Sequence, residues 1–230
     1  MHLLLDNLSF IVLLLVILLL VPAQVYILAR KMSEPEKMLV PLPEGLPPEH
    51  QQIMAAYHDW LFAKNFEIVF VRRFGSIVTV TFKEKNAPRF VSIMFHQGRV
   101  TFAGETYFDD TDCTCLDTGT SGSTGLFPAR PHQYKQSFPE ATLDVAWQRH
   151  LGAEAYLVRR FGLRYQPLTL PYEEILLKAM RLQMQHVRSI PFYPFLALYW
   201  YFVSRSKAAN RSIQQQFPPV AGEMPHVQVR

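Results

Sequence analysis

The chain has 230 residues, of which 49% are hydrophobic and 18% charged, and its formal net charge is +4. The 17 basic and 17 acidic residues between Ser33 and Arg188 cancel, so the excess positive charge lies in the flanking segments. A nucleic-acid-binding domain would be expected to carry its surplus on the folded body, as a patch that neutralises phosphates. The distribution therefore argues against a nucleic-acid partner. It favours a lipid bilayer with anionic head groups as the partner of the basic flanking segments.

An apolar run near the N-terminus extends from Leu8 to Leu28 and is interrupted only by Ser9, Pro22 and Gln24. A helix of about 21 residues is long enough to span the hydrocarbon core of a bilayer. We therefore predict a transmembrane anchor over residues 1–31, which makes the protein a single-pass membrane protein.

The alternative for this run is a cleavable signal peptide, with an apolar region from Phe10 to Val21 and a cleavage site near Ala23. Retention as an anchor is favoured, because the first 29 residues contain no Lys or Arg and the apolar character resumes beyond that site. Arg30 and Lys31 follow the run directly. The positive-inside rule then places the bulk of the chain in the cytoplasm.

The rest of the chain divides into a linker, one domain and two C-terminal segments. Five prolines in residues 32–48 favour an extended, semi-rigid spacer. Residues 49–188 have a suitable size for a single hydrophobic core. Residues 189–204 form an aromatic segment, and the polar composition of residues 205–230 predicts a disordered basic tail.

Hydrophobic patterns of period two predict the strands of the domain, which follow a helix from Glu49 to Lys64. The predicted strands are Phe66 to Val71, Ile77 to Phe82, Phe90 to Phe95, Val100 to Phe108 and Cys113 to Thr118. Because short turns join consecutive strands, we expect them to pair antiparallel.

Two helices are predicted after a long surface loop that begins at Gly119. Glu140 to Phe161 carries an apolar stripe and is followed by Gly162, where a C-cap glycine belongs. Tyr172 to Val187 is the second helix. The sequence therefore predicts an α+β fold with an antiparallel sheet of about four or five strands, helices on one face, and a preceding N-terminal transmembrane helix.

The aromatic segment contains 14 residues from Ile190 to Val203, which is short for a membrane span. Seven of the eleven residues from Phe192 to Phe202 are aromatic, and amphipathic aromatic rings favour the head-group level of a bilayer. We predict an interfacial segment; a second span and a terminal helix packed on the domain are the alternatives. The predicted membrane contacts are Arg30, Lys31, Trp200, Arg205 and Lys207.

Residues Cys115 to Ser121 read Cys-Leu-Asp-Thr-Gly-Thr-Ser, which resembles the active-site signature of aspartic proteases. In that family two such carboxylates share a proton and activate water. The single copy implies a homodimer in which Asp117 meets its counterpart. The later apolar pair and glycine that the family requires is replaced by an arginine-containing Val158 to Gly162. We therefore expect Asp117 to end a strand and cap a loop, with a hydrolase as the alternative.

Cys113, Cys115 and Asp117 are predicted to point the same way from one strand and are the candidates for a metal site. A closed zinc site needs four ligands, and the sequence offers no second well-spaced pair. We therefore expect two free thiols in a reducing compartment, with no metal and no cofactor.

The segment from Tyr107 to Leu157 combines an aromatic strand, an acidic turn, a Thr-rich strand, a Pro loop and a Trp-bearing helix. This arrangement resembles uncharacterised membrane-anchored bacterial proteins. The resemblance implies membrane attachment and no particular activity. We expect a noncatalytic domain with a role in protein interaction or envelope organisation, whose partners are the bilayer and an unidentified protein.

Overall fold

The computed structural model describes residue 12 and residues 19–109, 112–121, 127–167, 169–200 and 209–219. The helices are α1 (residues 19–32), α2 (Pro35–Met38), α3 (Pro48–Ala55), α4 (His58–Ala63), α5 (Leu143–Phe161), α6 (Tyr172–Ser189), α7 (Tyr193–Tyr199) and α8 (Ile213–Gln216). The strands are β1 (Val40–Pro41), β2 (Phe66–Phe74), β3 (Ile77–Glu84), β4 (Arg89–His96), β5 (Arg99–Tyr107), β6 (Cys115–Gly119) and β7 (Gln133–Ser137). The predicted α+β class is confirmed.

The sheet has seven strands in the order β1 to β7, so each strand pairs with its neighbours along the chain. All pairs are antiparallel except β6 and β7, which are parallel. The prediction of a smaller, purely antiparallel sheet is therefore wrong. Residues 120–132 join β6 to β7, and a connection of this length permits a parallel crossover.

Helices cover both faces of the sheet, which corrects the prediction of helices on one face. On one face Val80 and Ile93 form a core with Trp147 of α5. On the other face Phe90 and Tyr107 pack against Tyr172 of α6. Along these strands, side chains that face one core alternate with side chains that face the other, because successive side chains of a strand point to opposite faces of the sheet.

The two long helices agree with the sequence analysis. The Thr142 side chain caps the start of α5 by accepting a hydrogen bond from the backbone of Val145, and Gly162 ends the helix in a left-handed conformation. By contrast, the single helix predicted from Glu49 to Lys64 is divided into α3 and α4, which are separated by Ala56 and Tyr57.

The segment predicted as an extended spacer is packed against the domain. Leu39 is buried, Val40 and Pro41 pair with β2, and the backbone nitrogen of Leu42 donates to Val71 at 3.0 Å. Pro35 lies in the first turn of α2, and β1 is an edge strand. Proline is compatible with both positions, which explains why a proline-rich segment forms regular structure here.

Part of the tail predicted as disordered is also packed on the domain. Ala209 forms a bridge with Ser137, and Ser212 and Gln215 form a capping box at the start of α8. Ile213 is completely buried in a cluster with Leu157 of α5. A buried apolar anchor and a satisfied helix start together hold this segment in place.

No helix within the described ranges is long and apolar enough to cross a membrane. The predicted anchor falls largely on residues 1–11 and 13–18, which lie outside the described residues. The anchor therefore stays a prediction, and only its C-terminal part is visible as α1.

Candidate functional site

The two apolar segments of the sequence lie together in the structure. Val25 and Ala29 of α1 are buried in a cluster with Val187 of α6 and Ala197 of α7. The ring centroids of Tyr26 and Tyr193 are 6.4 Å apart. Segments more than 160 positions apart in the chain thus form one apolar region at the end of α6.

Helix α1 and the segment from Phe192 to Tyr199 leave large apolar side chains exposed, the extreme being Phe192 with 80% of its surface accessible. The exposed apolar residues are Leu19, Leu20, Tyr26, Ile27, Phe192, Phe195, Leu196 and Tyr199. Contiguous exposed apolar surface marks contact with a membrane or with another protein. We call these eight residues the apolar surface.

The predicted membrane residues lie at the border of this region where the structure describes them. Arg30 and Lys31 are exposed at the C-terminal end of α1, where positive side chains also complement the helix dipole. Trp200 directly follows α7 and is half-buried. Arg205 and Lys207 lie outside the described residues.

Asp117 lies beneath α6, in a cavity of about 210 Å³ between that helix and strands β5, β6 and β7. Strand alternation points Glu105 of β5 and Asp117 of β6 to the same face, and the two residues are direct partners in the strand register. Asp117 lies in the middle of β6. The prediction that Asp117 ends a strand and caps a loop is therefore wrong.

Each carboxylate of this cavity accepts hydrogen bonds from neighbouring side chains. The Gln133 side-chain amide donates to Oδ2 of Asp117 at 2.8 Å. The hydroxyls of Tyr107 and Tyr172 both donate to Oε2 of Glu105, at 2.9 and 3.0 Å. These bonds orient the acidic groups towards the cavity from three different elements.

Burial raises the pKa of both carboxyl groups, and the charge of Asp117 raises the pKa of Glu105 further. Arg72 acts in the opposite direction on Glu105, as Lys135 does on Asp117, without cancelling the effect of burial. Burial also raises the pKa of the Cys115 thiol well above its ordinary value. Burial in the cavity therefore disfavours the charged forms of both acids and of the thiol, so Cys115 is a poor thiolate nucleophile.

The cavity wall also presents amide oxygens without partners. The Oε1 atoms of Gln133 and Gln183 are buried, and neither has a hydrogen-bond partner among the described residues. A buried acceptor without a donor costs free energy, so such atoms indicate water or a ligand with donor groups. The remaining wall is largely apolar, with Met32, Ala103, Leu176, Ala179, Met180 and Met184.

Both cysteines are buried and neither is in a disulfide, but they do not share a strand as the sequence suggested. Cys113 precedes β6 in a left-handed conformation with φ of 51°, whereas Cys115 begins the strand. The Arg130 guanidinium donates to the carbonyl oxygens of Asp112 and Cys113 and so fixes this segment. Within the described ranges, no group of three or more His, Cys, Asp or Glu side chains could hold a metal ion.

A second polar network lies on the opposite face of the sheet, under α5. His150 is completely buried, with Nε2 2.9 Å from the Thr106 hydroxyl and Nδ1 2.9 Å from the Thr118 hydroxyl. Glu154 accepts from Thr106 at 2.8 Å and from two nitrogens of Arg89. Gly104 makes room for the ring, since a Cβ there would lie only 3.2 Å from it.

The sequence analysis did not identify His150 as a functional residue. The signal that could have revealed the network is the spacing of His150 and Glu154, which are four residues apart on the apolar side of α5. Two titratable residues in a buried stripe require polar partners on the sheet.

Comparisons with known proteins identify no relative: no family model, no curated protein and no solved structure matches the chain. The resemblance to membrane-anchored bacterial proteins over Tyr107 to Leu157 stays a prediction. The apolar surface and the two buried polar clusters are the features of the structure that bear on function.

Proposed function

We propose that the protein is noncatalytic and membrane-tethered, and that it presents its α+β domain to a protein partner at the bilayer surface. The observation that carries the proposal is the packing of α1 against α6 and α7, with the apolar surface left exposed. If the run from Leu8 to Leu28 is the anchor, α7 lies beside the point where the chain leaves the bilayer. Its aromatic residues then occupy the interface that such side chains prefer.

The arrangement of charge supports the same proposal. Arg30 and Lys31 lie at the end of α1, and basic residues at the end of an anchor favour the cytoplasmic side. The bulk of the chain is then cytoplasmic, where the two cysteine thiols are expected to stay reduced.

The aspartic-protease alternative receives little support from the surroundings of Asp117. Its side chain faces α6, whose Leu176 and Met180 line the same cavity. A homodimeric protease requires Asp117 to meet its counterpart across an interface, and α6 would have to move away first. Glu105, its neighbour on β5, has no place in that signature.

The anchor is tested by extracting membranes with alkaline carbonate. We expect the full chain to stay in the membrane fraction and to require detergent for release. A full-length, unprocessed chain that is dispersed without detergent would contradict the proposal.

The position of α7 is tested with lipids brominated near the head group, which quench tryptophan fluorescence at short range. We expect quenching in the wild type that is largely lost in Trp200→Phe, because Trp200 follows α7 directly. Trp60→Phe is the matched control, since Trp60 packs against Trp147 in the domain core. Equal quenching in the wild type and in Trp200→Phe would refute the interfacial position.

A second candidate function is the binding of a small hydrogen-bond-donating molecule in the cavity beneath α6. It is favoured by the side-chain oxygens of Gln133 and Gln183, which have no hydrogen-bond partner among the residues that the structure describes and lie beside two carboxyl groups. Ethylammonium is a suitable probe, because it offers donors and a short apolar group. We expect it to raise the melting temperature of the full chain more than equimolar sodium does, and to do so less in Asp117→Asn. No difference between the two cations would exclude ammonium as the recognised group.

A further inference from the structure

A groove of about 420 Å³ lies where the ends of α1 and α6 meet. Its wall includes Arg181, Gln185 and Arg188, which follow one another at intervals of four and three residues and therefore share one side of α6. Ser33, directly after α1, and Ser189, at the end of α6, complete the polar wall. The guanidinium and amide groups thus converge as hydrogen-bond donors, whereas the hydroxyls of Ser33 and Ser189 donate to the carbonyl oxygens of Ala29 and His186.

The charge around this groove is positive. Residues 30–37 and 181–189 contain five Lys or Arg residues and two Glu residues. Both glutamates are engaged: Glu34 pairs with Lys37, and Glu36 accepts from the Arg181 guanidinium. Arg188 has no ion pair with any residue that the structure describes. The groove therefore has a net attraction for an anion.

The groove is continuous with the apolar region formed by α1, α6 and α7. Met184 lines the groove and is also part of the buried cluster that holds these helices together. Val187, next to Arg188, belongs to the same cluster. An anion in the groove lies at the border between a basic surface and an apolar one, as the phosphate of a phospholipid does in a bilayer.

We propose that this groove binds the phosphate of an anionic phospholipid, with Arg188 as the principal contact and with Arg181 and Gln185 as further donors. Guanidinium groups bind phosphate oxygens in a bidentate manner, which makes Arg188 a suitable contact for a phosphate group. The assignment rests on the proposed function, because the membrane determines that the anion is a lipid. It adds a defined lipid site to the diffuse attraction expected of basic residues beside a membrane.

The test uses the full chain in nanodiscs and native mass spectrometry to count bound lipids. The discs contain phosphatidylcholine with a minor fraction of phosphatidylglycerol, whose enrichment around the protein is measured. We expect phosphatidylglycerol to be enriched around the wild type. The enrichment should fall by about fivefold for each positive charge removed, first in Arg188→Gln and then in the double variant Arg181→Gln/Arg188→Gln. Arg159→Gln, at an exposed position on α5, is the matched control and should keep the enrichment.

The outcomes separate this assignment from the proposed function. A chain that fails to enter nanodiscs would overturn both. A chain that enters but shows no preference for phosphatidylglycerol, or keeps its preference in the Arg188 variants, would overturn only the lipid site. In a third arm, inorganic phosphate is added at the concentration of the anionic lipid. Complete displacement of the lipid would show a site for free phosphate and overturn the lipid assignment.

Discussion

Replacing His150 with Gln should remove a defined part of the pH dependence of folding. The Thr106 hydroxyl donates its proton to Glu154, so it must accept from Nε2–H of His150. Nδ1 is then the acceptor of the Thr118 hydroxyl, which in turn accepts from the Gln136 amide. The network is complete with one proton on the ring, and a second proton at Nδ1 would meet a donor instead of an acceptor.

The magnitude follows from the shift of the His150 pKa. Burial lowers this pKa from 6.5 to about 4, against the opposing charge of Glu154. Because the folded value lies below the unfolded one, the unfolded state binds more protons in this window, and stability falls as pH decreases from 6.5 towards 4. From pH 7 to pH 5 the contribution of His150 amounts to a loss of about 2 kcal/mol.

The assay is equilibrium denaturation of the full chain in a mild detergent at pH 7 and pH 5. Glu105 and Asp117, whose pKa values are raised, contribute with the opposite sign, so the effect of His150 is obtained as the difference between the wild type and His150→Gln. His58→Gln, which changes an exposed side chain, is the matched control and should keep the wild-type pH dependence. An identical pH dependence in the wild type and His150→Gln would refute the reasoning.

Further predictions concern the other buried groups. Glu154→Ala leaves Arg89 without its main partner and should lower the free energy of unfolding by about 3–5 kcal/mol, whereas Glu84→Ala, which removes a more exposed partner, should cost less than about 1 kcal/mol. Equal costs would refute this assignment. Ile213→Ala should cost about 2–5 kcal/mol if the C-terminal segment is part of the core; a negligible cost would show that it is not. Asp117→Asn should not lower stability at pH 7, because a raised pKa means that ionisation there opposes folding. Peptide cleavage that disappears in this variant would instead favour the hydrolase.

The elements that the sequence predicts well are those with a strong local pattern. Helix α5 has an apolar stripe, a threonine cap and a terminal glycine, and its C-terminal end at Phe161 is as predicted. Strand β7 was missed because Gln133–Ser137 has no apolar alternation, and its strand conformation depends on pairing with β6. A readable signal was overlooked at α8, where Ser212 is followed by Gln215 as in a capping box.

The sequence of β4 could also have predicted that both faces of the sheet are covered. Its residues from Phe90 to Phe95 are apolar at nearly every position, which is typical of a strand buried on both sides. In β3, by contrast, Thr79 and Thr81 alternate with apolar residues, a pattern that is typical of a strand with one solvent-exposed face. In the structure Thr81 is completely buried, and its hydroxyl is hydrogen-bonded to Ser92 at 3.0 Å. The polar residue in the alternating pattern is therefore a buried hydroxyl with a partner and does not mark a solvent-exposed face.

Strands β5 and β6 contribute residues to both buried polar clusters. The two clusters differ in how many of their polar atoms have hydrogen-bond partners. Glu154 and both ring nitrogens of His150 have their partners on the α5 face, so that face gains stability and a fixed register. On the α6 face, Asp117 and Glu105 have raised pKa values beside amide oxygens that accept no hydrogen bond within the described part of the chain. Only the second arrangement gains free energy when a ligand supplies donors. The α6 face also adjoins the helices that we propose to lie at the membrane, so we expect substitutions under α5 to change stability and substitutions under α6 to change binding.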